Sequence, residues 1–366
     1  MAMYTILPVY YLQLGLSPIQ VGLLLSANRW IRLFTNHAAE RMLSQGSERV
    51  LFGGALVASS LIALYYASSP PFVLFLAARV LWGFCWSILR HAGTMKAVNE
   101  SDPQMVGRNL GLFNGVIRVG FLLGTSLSGI LFDQVAFGGT FLLMALFTLT
   151  GVPFAFTTFG RGKTRARTRG DDTHGGVHLE LQGFILGAVG SGIIMSTLGK
   201  VLSSAAGPSG FAVGSIVVGV ATLNGVLLGI RHTFGIAGSP LLGVVVDKLG
   251  IPRSVLMFTS IAAVALALGG LGLPPAALVV LVILFFLCET SLHIALAARA
   301  GASGAKRYAR FVSALDLGSA SGPLVGWGII QLALSTGMVF WVGAALYLVG
   351  AVVPLLQKTK RRESEL

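Results

Sequence analysis

Apolar runs of about twenty residues follow one another along this chain, and they constrain its fold more than any other feature. As an α-helix, a run of that length matches the hydrocarbon core of a bilayer, about 30 Å thick. Inside lipid the backbone must satisfy its own hydrogen bonds, which leaves helices or a closed barrel, and uniformly apolar runs of this length select helices. The sequence predicts spans over Pro18–Leu43, Val50–Ala67, Pro71–Val98, Met105–Phe132, Phe137–Phe159, Leu181–Ser203, Val213–Val246, Ser254–Leu273, Pro275–Arg299, Lys306–Leu334 and Met338–Leu356. Residues 1–16 supply only about half the apolar length of a span, and no charged leader or cleavage site marks them as a signal peptide. They read as a first helix whose beginning is missing. Between the sixth and seventh helices, Arg161 to Gly176 form a charged, glycine-rich linker, which divides the chain into 1–160, a linker at 161–180, and 181–366.

Charge sets the expected orientation. Only 11% of residues are charged against 54% hydrophobic, too little polar surface to cover a soluble globule. The net charge of +13 does not point to nucleic acid, because 19 of the 26 Lys and Arg fall in alternate connections and the C-terminal tail. By the positive-inside rule those connections are cytoplasmic, which puts both termini inside and gives an even number of spans in a cell (inner) membrane. Cys85 and Cys288 lie in apolar runs, where cysteine packs as a small side chain, so no disulfide framework is expected.

One connection carries a motif: Gly243-Val-Val-Val-Asp247-Lys248-Leu-Gly250-Ile-Pro-Arg253 has the form G-x-x-x-D-[RK]-x-G-x-x-R. In this the sequence resembles the major facilitator superfamily of transporters, whose signature loop of that form joins helices 8 and 9. A looser second copy, Asn36-His-Ala-Ala-Glu40-Arg41 with Gly46 and Arg49, stands after the second helix. The resemblance implies an all-α membrane protein of twelve helices in two six-helix halves, with alternating access. It makes Gly243, Asp247, Lys248, Gly250, Arg253, Glu40 and Arg41 gating residues, and it implies that Asp247 meets the start of the fifth helix when the cytoplasmic side is closed. Arg79-Val-Leu-Trp-Gly83 is similar to the family's R-x-x-x-G motif, a position implicated in proton coupling. Antiporters of the family show a Gly-Pro pair in helix 5, where this chain has Gly124-Thr125.

An internal repeat supports two halves independently. Cys85 to Arg90 in the fourth helix matches Cys288 to His293 in the tenth, and Arg118-x-Gly120-x-x-x-Gly124 matches Asp316-x-Gly318-x-x-x-Gly322. Glycines four apart let helices approach closely in lipid. The predicted third, sixth, ninth and twelfth helices carry no charge in their interiors, whereas the second, fourth, fifth, eighth, tenth and eleventh do. An ionisable group at mid-membrane costs about 2.5–3.5 kcal/mol or more unless it is paired or hydrated. The charged helices therefore line a polar cavity. Arg29, Arg32, Arg90, Arg118 and Arg231 are its candidate substrate-binding residues, and Glu289, His293, Asp316 and Arg79 its candidate proton-coupling residues. Arg118, Asp316 and the Arg29/Arg32 pair are expected to neutralise one another in part, and His293 to share a proton with Glu289 one turn away.

Bases outnumber acids there, which favours an anionic small-molecule substrate. The leading reading is a secondary active transporter of a small organic solute, coupled to a proton or other ion, embedded as a monomer in the lipid bilayer. Export is preferred over uptake on family prevalence. The other reading is a transporter-like receptor, scaffold or lipid-handling factor; a gate motif and costly midplane charges favour transport. There is no P-loop and no catalytic, cofactor or metal motif, so neither an ATP-driven pump nor an enzyme is expected.

Overall fold

The computed structural model describes residues 1–99, 105–158, 178–207, 210–213, 216–332 and 335–363. Most of the predicted linker lies outside the described residues; its last residues already belong to the helix that begins at His178. The chain is built from long helices packed side by side: α1 (Ala2–Tyr10), α2 (Pro18–Gln45), α3 (Glu48–Ala67), α4 (Phe72–Asn99), α5 (Val106–Leu149), α6 (Val152–Thr158), α7 (His178–Leu186), α8 (Met195–Ala206), α9 (Val220–Thr233), α10 (Ser239–Leu249), α11 (Ile251–Gly269), α12 (Pro275–Ala302), α13 (Ala305–Gln331) and α14 (Gly337–Glu363). Six continuous helical stretches of the described residues are long and apolar enough to cross a membrane. The stretches formed by α2, by α9 with α10 and by α13 are as long but fall outside that set. Each carries arginine or aspartate along its length, and these are helices that face the cavity described below.

Two helices contain π turns, which close i→i+5 hydrogen bonds. Gly187–Ile194 is a π segment that joins α7 to α8, and Phe234–Gly238 joins α9 to α10. Both are glycine-rich, Gly-Ala-Val-Gly-Ser-Gly-Ile-Ile and Phe-Gly-Ile-Ala-Gly, so few side chains crowd the wider turn. The predicted helix start at Val213 is corrected by the structure. Phe211–Val213 and Ile216–Val218 pair as a short antiparallel hairpin, with Phe211 opposite Val218, and the helix begins at Val220. Gly210 turns into the first strand at φ +78°, and runs rich in valine, isoleucine and phenylalanine favour strand over helix at this exposed end.

The predicted fifth and sixth helices join without a loop. Helical hydrogen bonding continues through α5 except at Ala136, which has φ +57° and ψ −173°. Contacts on either side show a reversal. Asp133 meets Thr222 at the start of α9, whereas Phe141 packs on Tyr66 and Gly151 lies against Leu56, further back along α3. Phe137 is stacked on Tyr10 with ring centroids 5.2 Å apart, which holds the elbow against α1.

Helix α1, nine residues long, would not hold alone. It is secured by burial of Met3, Tyr4, Ile6 and Leu7 and by two polar contacts. The Tyr4 hydroxyl donates to Leu25 O at 2.6 Å. Pro8 lacks the N–H that would have bonded Tyr4 O, and buried Asn224 from α9 fills that deficit, donating to Thr5 O at 2.8 Å and Tyr4 O at 3.4 Å.

Glycines set how closely the remaining helices pack. A Cβ on Gly318 or Gly322 of α13 would meet the main-chain oxygens of Phe184 and Ala188, and Gly322 faces Gly192 directly. The matching pair on α5 does not behave this way. Gly120 faces open space, and the nearest atom to a Cβ on Gly124 would be Met1 Cβ. Close approach of α5 to α9 is made instead at Gly129 and Gly225, one helical stretch further along.

Candidate functional site

A cavity of roughly 300 Å³ lies among α1, α2, α4, α5, α9, α12, α13 and the π segment Gly187–Ile194. No described residue of α3, α6, α11 or α14 lines it. These are the helices, or lie within the helices, whose interiors lack charge. All nine predicted cavity residues line it: Arg29, Arg32, Arg79, Arg90, Arg118, Arg231, Glu289, His293 and Asp316. The seven predicted gating residues do not.

The strongest contact joins α9 to α12. Arg231 grips Glu289 with two parallel bonds, Nε to Oε2 at 2.7 Å and Nη2 to Oε1 at 2.6 Å, and Nη2 also donates to Ser191 Oγ at 2.7 Å. A forked pair of this kind is among the stronger charge-assisted contacts. It engages both Glu289 oxygens; among the described residues no hydrogen bond joins Glu289 to His293, which lies near the Phe311 ring. Gly190 allows this arrangement, because a Cβ there would collide with the Glu289 carboxylate.

Arg29 is committed to main-chain oxygen. Its Nη1 donates to Ser319 O at 2.6 Å and to Ser191 O at 2.9 Å, and its guanidinium lies over the Tyr4 ring at 5.0 Å. The Ser319 carbonyl is available because the residue four positions on is Pro323, inside α13, with no N–H to offer. Ser191 O belongs to the π segment. An arginine from another helix thus takes up a carbonyl freed by a proline together with a second carbonyl in the π segment.

Arg79 is 4% exposed and also structurally held: Nε donates to Leu24 O at 3.0 Å and Nη2 to Asn28 Oδ1 at 2.9 Å. Arg32 approaches Asp316 loosely, at 3.8 Å. The predicted mutual neutralisation is therefore made only between Arg32 and Asp316; Arg118 pairs with neither. Arg118 lies where a Cβ on Gly235 would meet its guanidinium, beside the second π segment. Neither Arg118 nor Arg90 has a hydrogen bond or ion pair among the described residues. Among the described residues, six arginines against two carboxylates line this cavity, and two of the six are uncommitted.

An aromatic strip crosses the cavity wall from α4 to α9. Trp82 and Trp86 stack at 5.8 Å, Trp86 meets Phe121 at 5.7 Å, and Phe121 meets His232 at 5.6 Å. The sequence signal for it was Trp82 and Trp86 one helical turn apart. Asn28 was equally legible as the neighbour of Arg29, whereas Ser191 and Ser319 contribute backbone, which side-chain chemistry does not reveal.

The described helices meet tightly at one end of the cavity. There Asp133 Oδ2 accepts the Thr222 N–H at 2.8 Å, and Gln331 accepts from Ile19 N at 3.2 Å. At the other end Asp247, Lys248, Arg253, Glu40 and Arg41 are exposed. Asp247 and Arg108 have no hydrogen-bond or ion-pair partner among the described residues, so the predicted contact of Asp247 with the start of α5 is not made in this conformation. Gly250, at φ +78°, ends α10, and Ser254 then opens the next ladder with its N–H on Gly250 O.

Comparison with known proteins agrees with this architecture. A transporter of the POT family, solved in complex with a thioalcohol-conjugated peptide, superposes with a TM-score of 0.74 at 14% identity, over 98% of this chain and 93% of its own. The human organic anion transporter MFSD10 (TETRAN) gives 0.64 at 17% identity, over 91% and 82%. A bacterial homologue of the human lysosomal transporter Spinster, in an inward-facing and unoccupied conformation, gives 0.69 at 13% identity, over 96% and 91%. At these identities the likeness is one of fold. No curated protein matches the sequence. The sequence model of the Major Facilitator Superfamily matches residues 1–302, and with that match, the helical membrane architecture and the shared fold, the chain belongs to the Major Facilitator Superfamily of secondary transporters.

Proposed function

We propose that this protein moves a small organic anion across the cell (inner) membrane by alternating access, with proton coupling at Glu289. It would do so as twelve spans in two halves, 1–160 and 181–366, with both termini cytoplasmic. The observation that carries the proposal is the cavity's unbalanced charge. Four of its six arginines have partners within the protein, while Arg90 and Arg118 are left to a ligand. An unpaired cation in a membrane is costly, and an anionic solute offsets that cost. Proton coupling follows from the Arg231–Glu289 pair. Protonating Glu289 breaks the ionic fork and releases Arg231 to the cavity, so the Glu289 carboxylate and the anion compete for one arginine, and a bound proton favours the anion.

The gate reading rests on two aspartates. Asp133 and Asp247 each lie 27 residues past the first residue of their helix, Val106 and Val220. Helices α5 and α9 run antiparallel, since Asp133 near the end of the first α5 segment meets the start of α9. The same geometry at the opposite end would bring Asp247 to the N–H groups at the start of α5 in the alternate state. With the basic connections cytoplasmic, the present conformation is closed outside and open inside. Asp133 would latch the closed end and Asp247 would latch the other end in the alternate state.

The test is transport by the full-length protein in liposomes under an imposed pH gradient. Anionic organic solutes should accumulate, and matched cationic solutes should not. Accumulation of the cations, or of neither set under any gradient, overturns the reading.

A further inference from the structure

A second cavity opens beside the first. It has a volume of about 650 Å³ and lies between α3, α4, α5 and the end of α6. Its walls are mostly apolar, including Phe52, Leu56, Leu89 and Phe113, and its described lining holds two cations, Arg90 and Lys96, and no acid. Gly93 keeps it roomy: the Phe113 ring lies where a Cβ on Gly93 would stand. Three residues, Trp86, Arg90 and Ile117, line both cavities. From Trp86 to Ala97 the side cavity follows α4 over twelve residues, about 16 Å at the helical rise. Leu112 on its rim is 60% exposed, so one side faces the surface of the helix bundle, where the bilayer lies.

We propose that the substrate is a single-chain amphiphilic anion, with its charged head at Arg90 and Arg118 in the central cavity and its alkyl chain in the side cavity. This rests on the anion reading above and specifies it. Each half of such a molecule finds its complement: uncommitted guanidinium for the head, and an apolar trough of chain length for the tail. Arg90 stands where the two meet. A fully polar anion would leave the trough unused, and an amphiphilic cation would place its charge beside Arg90 and Lys96. An ordinary bilayer lipid in the trough is the competing occupant.

The probe is a series of alkyl sulfates of graded chain length, matched with alkyltrimethylammonium ions. Binding is measured on the full-length protein in zwitterionic nanodiscs, since detergent is itself an alkyl chain. Three proteins are compared: wild type, Arg90→Gln, and Ala97→Phe, which fills the side cavity from its wall. In wild type, sulfate affinity should rise up to about fourfold per added methylene beyond the rise for the cation series. Ala97→Phe should flatten that slope while leaving the shortest sulfate bound as before, which also shows that the variant is folded. Arg90→Gln should weaken every sulfate about tenfold or more with the slope retained. An equal slope in wild type and Ala97→Phe means that tails partition into the bilayer or that lipid fills the trough, and it overturns the proposal. Equal affinity for the cation series overturns it as well. Transport of the shortest sulfate in liposomes separates the two levels: if it persists while the slope test fails, the anion reading stands and the amphiphile reading falls.

Discussion

Glu289 and Arg231 hold each other in a nearly dry position, with side chains 7% and 15% exposed. Removing one member of such a pair leaves an uncompensated charge, at a cost of up to about 3–5 kcal/mol, while replacing both with apolar residues is often close to neutral. Arg231→Gln should therefore lower the thermal transition of the protein more than a double Arg231→Met, Glu289→Leu change does. A double variant less stable than either single one would show that packing, and not charge, dominates. Glu289→Gln should separate function differently: counterflow exchange of substrate persists, whereas accumulation driven by a pH gradient is lost. These positions were legible in the sequence because charge inside an apolar run is too costly to be incidental. Which arginine met which acid was not legible. That choice depends on the direction each residue faces around its helix, and here it was settled by the π turn at Ser191 and by glycine at 190.

At the scale of the element, the proposed cycle makes α5 and the α9–α10 pair the moving part. A carboxylate on exposed helix N–H groups contributes about 0.3–1 kcal/mol. Neutralising Asp133 should shift the balance of two states roughly two- to fivefold. Spin labels at the Asp133 end of α5 and the hairpin end of α9 should report a broader, longer distance in Asp133→Asn. Labels near Arg108 and Lys248 should show Asp247→Asn favouring separation at the opposite end. Distributions unchanged in both variants would make the two aspartates ordinary helix-end charges. The signature motif announced Asp247, but Asp133 has no motif of its own. Its role emerged only from the hydrogen bond to Thr222 and from its equal spacing. Likewise the predicted helix starting at Val213 took in most of the hairpin, since a run of Val, Ile, Gly and Ala without polar alternation does not separate strand from buried helix.

For the whole molecule, the proposed orientation rests on loop charge and is open to a direct check. A cysteine at Arg165 or Lys360 should be protected from an impermeant thiol reagent in intact cells, and one at Ser69 should react. Labelling at Arg165 in unbroken cells reverses the orientation. The general plan, helices spanning lipid with charged ones inward, could be read from residue order alone because the solvent on each face dictates it. The conformation could not, since one sequence serves both ends of a transport cycle. A further consequence lies in the elbow at Ala136. A residue with a side chain rarely adopts its backbone angles, at a cost of about 1–3 kcal/mol, and Phe137 on Tyr10 and Gly138 against Ala67 brace it. A joint one residue long has no slack. The two arms of α5 are thereby coupled as in a bell crank: in the proposed cycle, a tilt of the inner arm at the cavity would swing the outer arm alongside α3 and be felt by the surrounding lipid.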